Sequence, residues 1–339
     1  MEQESILQLH PGLVIGFGVT VIFMLLLDLG VFNKKTHIIS SKEATIWSII
    51  WISLSMVFSG VVYYIFNQDA GGHALAIEKF TQFQAAYWIE KALSVDNLFV
   101  FILVFSFFKV PRELHHKVLF YGIIGALIMR AVFIFAGVEI INLTYLPAFE
   151  LFGKSVQINV VMTLFGLFLV YAGIKSWGSG DDDEEEDYSN TAGAKLVKKL
   201  YKVSDNYDKD KFFTVQNGIK MATPLLVVVA VIEFTDVLFA VDSIPAIFAI
   251  SKDPFILYTS NIFAILGLRS LYFLLSNFIY MFSKLPYGLA FILSFIGVKM
   301  IISPWVHISS PVSLGIVGGV LIISVIASLM FPEKKEELA

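Results

Sequence analysis

Runs of apolar residues longer than a bilayer is thick decide what this chain can become. They exceed the roughly 20 residues that cross the hydrocarbon core. In lipid every backbone polar group needs an internal partner, so spans of this length are helices. The 339 residues are 57% hydrophobic and 15% charged, with mean hydropathy +0.77, whereas soluble domains are about a quarter charged. The expected fold is therefore an all-α polytopic membrane protein. Its nine predicted transmembrane helices lie at roughly 12–32, 45–66, 84–108, 118–141, 156–177, 222–250, 255–281, 286–303 and 312–331.

Lysine and arginine orient the spans. Sixteen of them fall in the first, third, fifth and seventh loops and the tail, against Lys79, Lys154 and Lys252 in the opposite loops. The N-terminus is thus expected outside and the C-terminus in the cytoplasm. The net charge of −4 does not bear on this. The first residues are acidic and lack a basic leader region, so no cleavable signal is expected. The fifth loop holds seven consecutive acids at 181–187, read as a solvated linker, with a cation collector as the sharper alternative. Behind it, Leu196, Val197, Leu200 and Tyr201 recur at helical spacing among lysines, as in a basic amphipathic helix on the membrane surface.

Carboxylates interrupt two of the apolar spans. The first stretch is Glu90-Lys91-Ala-Leu-Ser-Val-Asp96-Asn97, and the second is Glu233-Phe-Thr-Asp236-Val-Leu-Phe-Ala-Val-Asp242-Ser243. Ionisable groups at membrane depth are expensive and mark ion paths. When Asp96 is set on Asp242, Glu90 falls on Asp236 and Asn97 on Ser243. In the following spans Arg130 matches Arg269, and Gly173-Ile-Lys175 matches Gly297-Val-Lys299. Acid, arginine and lysine recur in one order over three successive spans, and an odd number of spans separates equivalent positions. That pattern is an inverted repeat of three plus three helices, an architecture that places substrate near the midplane. The predicted units are 1–83 (two spans), 84–177 (first repeat), 178–221 (cytoplasmic linker and amphipathic segment), 222–303 (second repeat) and 304–339 (last span and tail).

Residues seven apart share a helix face, so Glu90 pairs with Asn97 and Asp236 with Ser243, while Asp96 and Asp242 point about 120° away. One straight helix cannot gather them all, so facing helices or an unwound helix must contribute. Pro245 favours a break in span six, because it cannot donate to the carbonyl four residues before it. Glu90, Asp96, Asn97, Glu233, Asp236 and Asp242 are expected to converge on one divalent cation. Near the midplane five acids (Glu90, Asp96, Glu233, Asp236, Asp242) face three bases (Lys91, Arg130, Arg269). The remainder of two negative charges suits a divalent ion or two protons.

Around this set, Arg130, Arg269 and Ser243 are read as gating or supporting groups. Lys91 either pairs with Asp96 or competes with the cation. Asp28 either lines the entry path or caps a helix end. Lys175 and Lys299 are expected to snorkel to the interface. The chain has no cysteine, and its six histidines fall in loops or span ends. Oxygen-ligand cations such as Mn²⁺, Mg²⁺ and Ca²⁺ therefore fit better than softer metals.

These two acidic motifs, with Leu27-Asp28-Leu-Gly30-Val31 in span one, resemble the TerC family of bacterial integral membrane proteins. The nine spans and charged central loop are similar to its Alx-type branch. The resemblance covers about residues 10 to 330 and does not extend to the acid run. It implies export of Mn²⁺ from the bacterial cytoplasm across the inner membrane, with the motif carboxylates as metal-binding groups and Asp28 next. It also implies an association with tellurite resistance and alkaline pH.

The expected function is thus divalent cation export by alternating access, with protons as a possible counter-substrate and the bilayer as surroundings. Mn²⁺ would be cargo, and neither a prosthetic group nor a nucleic-acid partner is expected. The alternatives are a Ca²⁺/H⁺ or other cation exchanger, and a non-transporting scaffold in tellurite resistance. No enzyme is expected: no phosphate-binding Gly-x-x-x-x-Gly-Lys-Ser/Thr motif occurs, nor any protease-like pair at membrane depth.

Overall fold

The computed structural model describes residues 10–32, 40–151, 154–178, 188–216, 218–278, 284–306 and 308–331. Within its helices a few side chains, including those of Asp28, Asp96 and Asp242, lie outside the described set, as does the acid run 181–187. Helices α1 (Pro11–Phe32), α2 (Ser41–Phe66), α3 (Gly72–Phe107) and α4 (Arg112–Leu143) come first. A hairpin of β1 (Phe149–Leu151) and β2 (Lys154–Val156) leads to α5 (Val160–Gly178). After the short α6 (Ala192–Leu200) and a second hairpin, β3 (Phe213–Gln216) with β4 (Ile219–Ala222), come α7 (Pro224–Phe248), α8 (Pro254–Leu266), α9 (Leu268–Phe278), α10 (Leu285–Ile302) and α11 (Ser310–Met330).

Local chemistry sets several of these starts. Ser40 caps α2 by accepting from the Glu43 N–H at 3.3 Å. Asp253 caps α8 by accepting from the Phe255 N–H at 3.1 Å, and Pro254 fills the first helical position.

Seven helical segments among the described residues are long and apolar enough to cross a bilayer: α2, α4, α5, α7, α8 with α9, α10 and α11. The other two of the nine expected spans are α1, whose described apolar stretch Pro11–Leu26 is shorter, and α3, which carries the buried charges. In the α8–α9 segment 89% of the apolar window is buried, against 17% in α5 and 22% in α11. The α8–α9 segment is therefore the centre of the bundle, and α5 and α11 present apolar faces outward.

Contacts between helix ends sort the loops into two poles. At one, which we call the basic pole, Tyr207 donates to the Phe108 carbonyl at 2.9 Å and Lys117 bonds Asp210 at 3.0 Å. At the opposite pole His10 meets Asp69 at 2.7 Å, and Lys79 bonds Asp253 at 2.7 Å. Ser251, just past α7, donates to Gln82 near the start of α3 at 2.9 Å. Helices α3 and α7 therefore run antiparallel, as an inverted repeat requires. Glycines carry a second sign of that symmetry. A β-carbon at Gly166 of α5 would sit 2.9 Å from the Gly297 carbonyl oxygen of α10, and one at Gly173 2.6 Å from that of Ala290. Setting Gly173 on Gly297 sets Gly166 on Ala290, so each close approach is the other's counterpart.

Two expectations need correction. Helix α7 does not break at Pro245 but runs on to Phe248. The proline lies in the last turn, so its missing N–H costs one hydrogen bond, to the Val241 carbonyl, and only one turn follows it. The interruption falls in the next span, at Gly267 between α8 and α9. There a β-carbon would lie 2.9 Å from the Lys91 ammonium and 3.1 Å from the Trp51 β-carbon. Nor does Lys299 snorkel: it is buried and donates to Ser313 at 2.8 Å, whereas Lys175 is exposed. The amphipathic segment is helical as expected. In α6 Ala194 and Val197 pack inward, while Leu196, Leu200 and Tyr201 are exposed.

Candidate cation site

Arg130 is the centre of the buried charge. It projects from α4 with no solvent exposure and reaches both halves of the repeat. Its Nη1 donates to Glu90 Oε1 of α3, and its Nη2 to Asp236 Oδ1 of α7 at 3.3 Å. The same Nη1 lies 3.4 Å from Ser243 Oγ and 3.4 Å from Asn261 Oδ1. Glu90 and Asp236, which the sequence alignment sets on each other, thus face each other across one guanidinium. The planar fork of arginine suits this double bridging.

The bridge leaves polar capacity over. Glu90 Oε2, Asp236 Oδ2, Asn97 Nδ2 and Asn261 Nδ2 are buried and have no hydrogen-bond partner among the described residues. Buried polar atoms without partners are rare in native proteins and call for an explanation. Lys91, beside Glu90, turns the other way and donates to the Ala264 carbonyl at 3.2 Å. That carbonyl belongs to the last turn of α8, where the interruption at Gly267 withdraws the regular helical donor.

The expected ligands divide accordingly. Glu90, Asp236 and Ser243 meet at Arg130, and Asn97 is buried on the same face of α3 as Glu90. Glu233 stands apart: its carboxylate lies over Gly125 of α4, where any β-carbon would collide with it. Asp96, Asp242 and Asp28 fall on side chains outside the described set. Among the described residues no group of three or more His, Cys, Asp or Glu side chains could hold a metal ion. Arg130, expected as a gating or supporting partner of the acids, bonds two of them and holds the middle of the cluster. Asn261 was missed, although a lone amide within the apolar run Ile256–Leu266 was a readable sign. Arg269 is buried and lines a void of about 10 Å³ with Asp236, room for a single water.

This arrangement can hold a cation between two carboxylates, and a guanidinium already does so. The family signature described as the integral membrane protein TerC family matches residues 75–336. The chain belongs to the TerC family. Among its TerC-like relatives, a membrane protein of Myxococcus xanthus named as uncharacterized is 43% identical over 322 residues, covering 94% of this chain and 92% of its own. A protein of Salmonella typhi, provisionally named membrane-bound redox modulator Alx, is 40% identical over 323 residues and 95% of each chain. Its namesake in Escherichia coli K12 is 41% identical over 315 residues and 92% of each chain. No solved structure matches the chain.

Proposed function

We propose that this TerC-family protein exports a hard divalent cation, Mn²⁺, from the bacterial cytoplasm across the inner membrane. The observation that carries the reading is the Arg130 bridge, a fixed cation shared by one carboxylate from each repeat half with a spare oxygen on each. In the resting state Arg130 serves as a tethered stand-in for the transported ion. An entering divalent ion takes Glu90 Oε2 and Asp236 Oδ2, with Asp96, Asp242 and the Asn97 amide completing an oxygen-rich shell. Arg130 then gives up one arm, and its exchange between the halves accompanies alternating access. Protonation of the carboxylates from the outer side lowers metal affinity and drives release. The basic pole faces the cytoplasm, with the N-terminus outside.

The name redox modulator belongs to the relatives. This chain has no cysteine, so thiol–disulfide exchange is not open to its own side chains. The experiment is Mn²⁺ flux in proteoliposomes of purified protein, with Ca²⁺ as competitor and the pH of each side varied. The reading expects Mn²⁺ flux that depends on pH and resists equimolar Ca²⁺. Full flux in Asp96→Ala or Asp242→Ala, or no Mn²⁺ flux by the wild type, would sink it. Ca²⁺ flux in its place would turn the reading to a Ca²⁺ exchanger. Pairing undisturbed metal handling in those variants with its loss on deletion of 181–187 would point to a scaffold.

A further inference from the structure

At the opposite pole a cavity of about 560 Å³ opens between α3, α10, α11 and the turn joining α7 to α8. Its charged lining is lopsided. Lys79 is paired with Asp253 at 2.7 Å, and that carboxylate also caps α8. Glu78 accepts from Gln82 at 2.9 Å and is exposed. Two lysines remain without a carboxylate partner among the described residues. Lys252 lies over the Tyr145 ring, 4.6 Å from its centroid. Lys299 is 8% exposed, and among the described residues its ammonium has a single partner, the Ser313 hydroxyl at 2.8 Å.

An ammonium buried against one hydroxyl is costly, because burial removes water that a neutral partner only partly replaces. The first turn of α11 opens on the same space through Ser309, Ser310 and Pro311, and the Ser309 side chain does not cap it. Free N–H groups at a helix start add positive potential on the side of the cavity where Lys299 stands. Two lysines and a helix start around one space form an oxyanion receptor in kind.

We propose that this cavity binds an oxyanion of the phosphate class, held by Lys299, Lys252 and the first turn of α11. The anion is either free phosphate or the headgroup of an anionic phospholipid, since the rim includes apolar Ile77, Val306 and Ile308. The cavity is separate from the Arg130 cluster: Gln82 lines it, but Glu90, two turns further along α3, does not.

The test uses the purified full chain in detergent, before and after delipidation. Its thermal midpoint is compared in inorganic phosphate and in chloride of equal ionic strength. Phosphate at saturation is expected to raise the midpoint of the delipidated protein by about 2–4 °C over chloride. Lys299→Met should abolish that shift and raise the midpoint in chloride, because a poorly compensated buried charge is gone. Lys299→Arg should keep the shift. If Lys299→Met does not fold, Lys252→Met, outside the helices, should weaken phosphate affinity by about tenfold. Native mass spectrometry of undelipidated protein separates the sources. An anionic phospholipid displaced by phosphate assigns the site to a headgroup, and its absence beside a phosphate shift assigns it to the free ion. No phosphate shift with no retained anionic lipid, or an unchanged shift in folded Lys299→Met and Lys252→Met, would overturn the proposal.

Discussion

Glu90 and Asp236, which the expected repeat sets on each other, bond the same guanidinium, yet one has a basic neighbour and the other an acidic one. The residue after Glu90 is Lys91, whose ammonium fills a carbonyl freed by the interruption at Gly267. Three residues before Asp236 is Glu233, a second carboxylate laid over Gly125. The first stretch therefore carries an additional basic group and the second an additional acidic one. The two stretches supply a matched pair of carboxylates to Arg130. On the proposed export, these differing neighbours make the second stretch the better place for a cation to arrive.

The strongest break of this comparison is removal of what the halves share. Arg130→Ala strands two buried carboxylates and should cost about 3–5 kcal/mol of stability. Thermal unfolding of detergent-purified protein checks it, and a loss below 1 kcal/mol would mean that the bridge is incidental. Arg130→Lys should recover part of the stability but not both bonds, since a point charge cannot fork.

The next effect tests the close approach of α5 and α10 that the repeat requires. Gly297→Val places bulk against the Gly166 carbonyl and should cost about 1–3 kcal/mol. The counterpart Gly173→Val should match it. A large difference between the two would show that the symmetry ends short of these helices.

A smaller effect sharpens the difference between the halves. Glu233→Gln removes the additional acidic group without touching Arg130, so stability should move by less than about 0.5 kcal/mol. Mn²⁺ flux should fall several-fold through a weaker apparent affinity. Equal flux in wild type and variant would remove Glu233 from the path.

The smallest effect is a control at the basic pole. Lys117 bonds Asp210 there and holds its carboxyl below the usual aspartate range, although the side chain is largely exposed. The sign follows from the lowered value. The pair's contribution is present above the unfolded aspartate range and is lost as the pH falls through the depressed one. Screening keeps it under about 1 kcal/mol. Asp210→Asn should therefore be nearly silent at neutral pH, in contrast to any change at Glu90.

The sequence was most readable where a rule of the bilayer applies. Charges inside apolar runs pointed to Glu90, Asp236 and Arg130, because burying them unpaired is too costly to be accidental. Repeated order along the chain pointed to opposite directions for α3 and α7, and the two helices do run antiparallel. What could not be read was which partner each charge takes. Lys91 is next to Glu90 in sequence but bonds Ala264, because successive helical residues point in different directions. Lys299 sits near a span end, where lysines usually reach water, but α11 packs over it and supplies Ser313. Pro245 carries the stronger breaking signal, yet the helix yields at Gly267, where Trp51 and Lys91 crowd the backbone. Packing between distant segments made those choices, and no local pattern encodes it.

The most direct test of the central claim is a Mn²⁺ binding titration of the purified protein, read by electron paramagnetic resonance of the free ion. Wild type should bind Mn²⁺ at one site per chain, and Glu90→Gln and Asp236→Asn should each weaken it by about tenfold or more, in similar measure. Undiminished binding in the Glu90→Gln, Asp236→Asn double variant would contradict a cation site shared between the two halves.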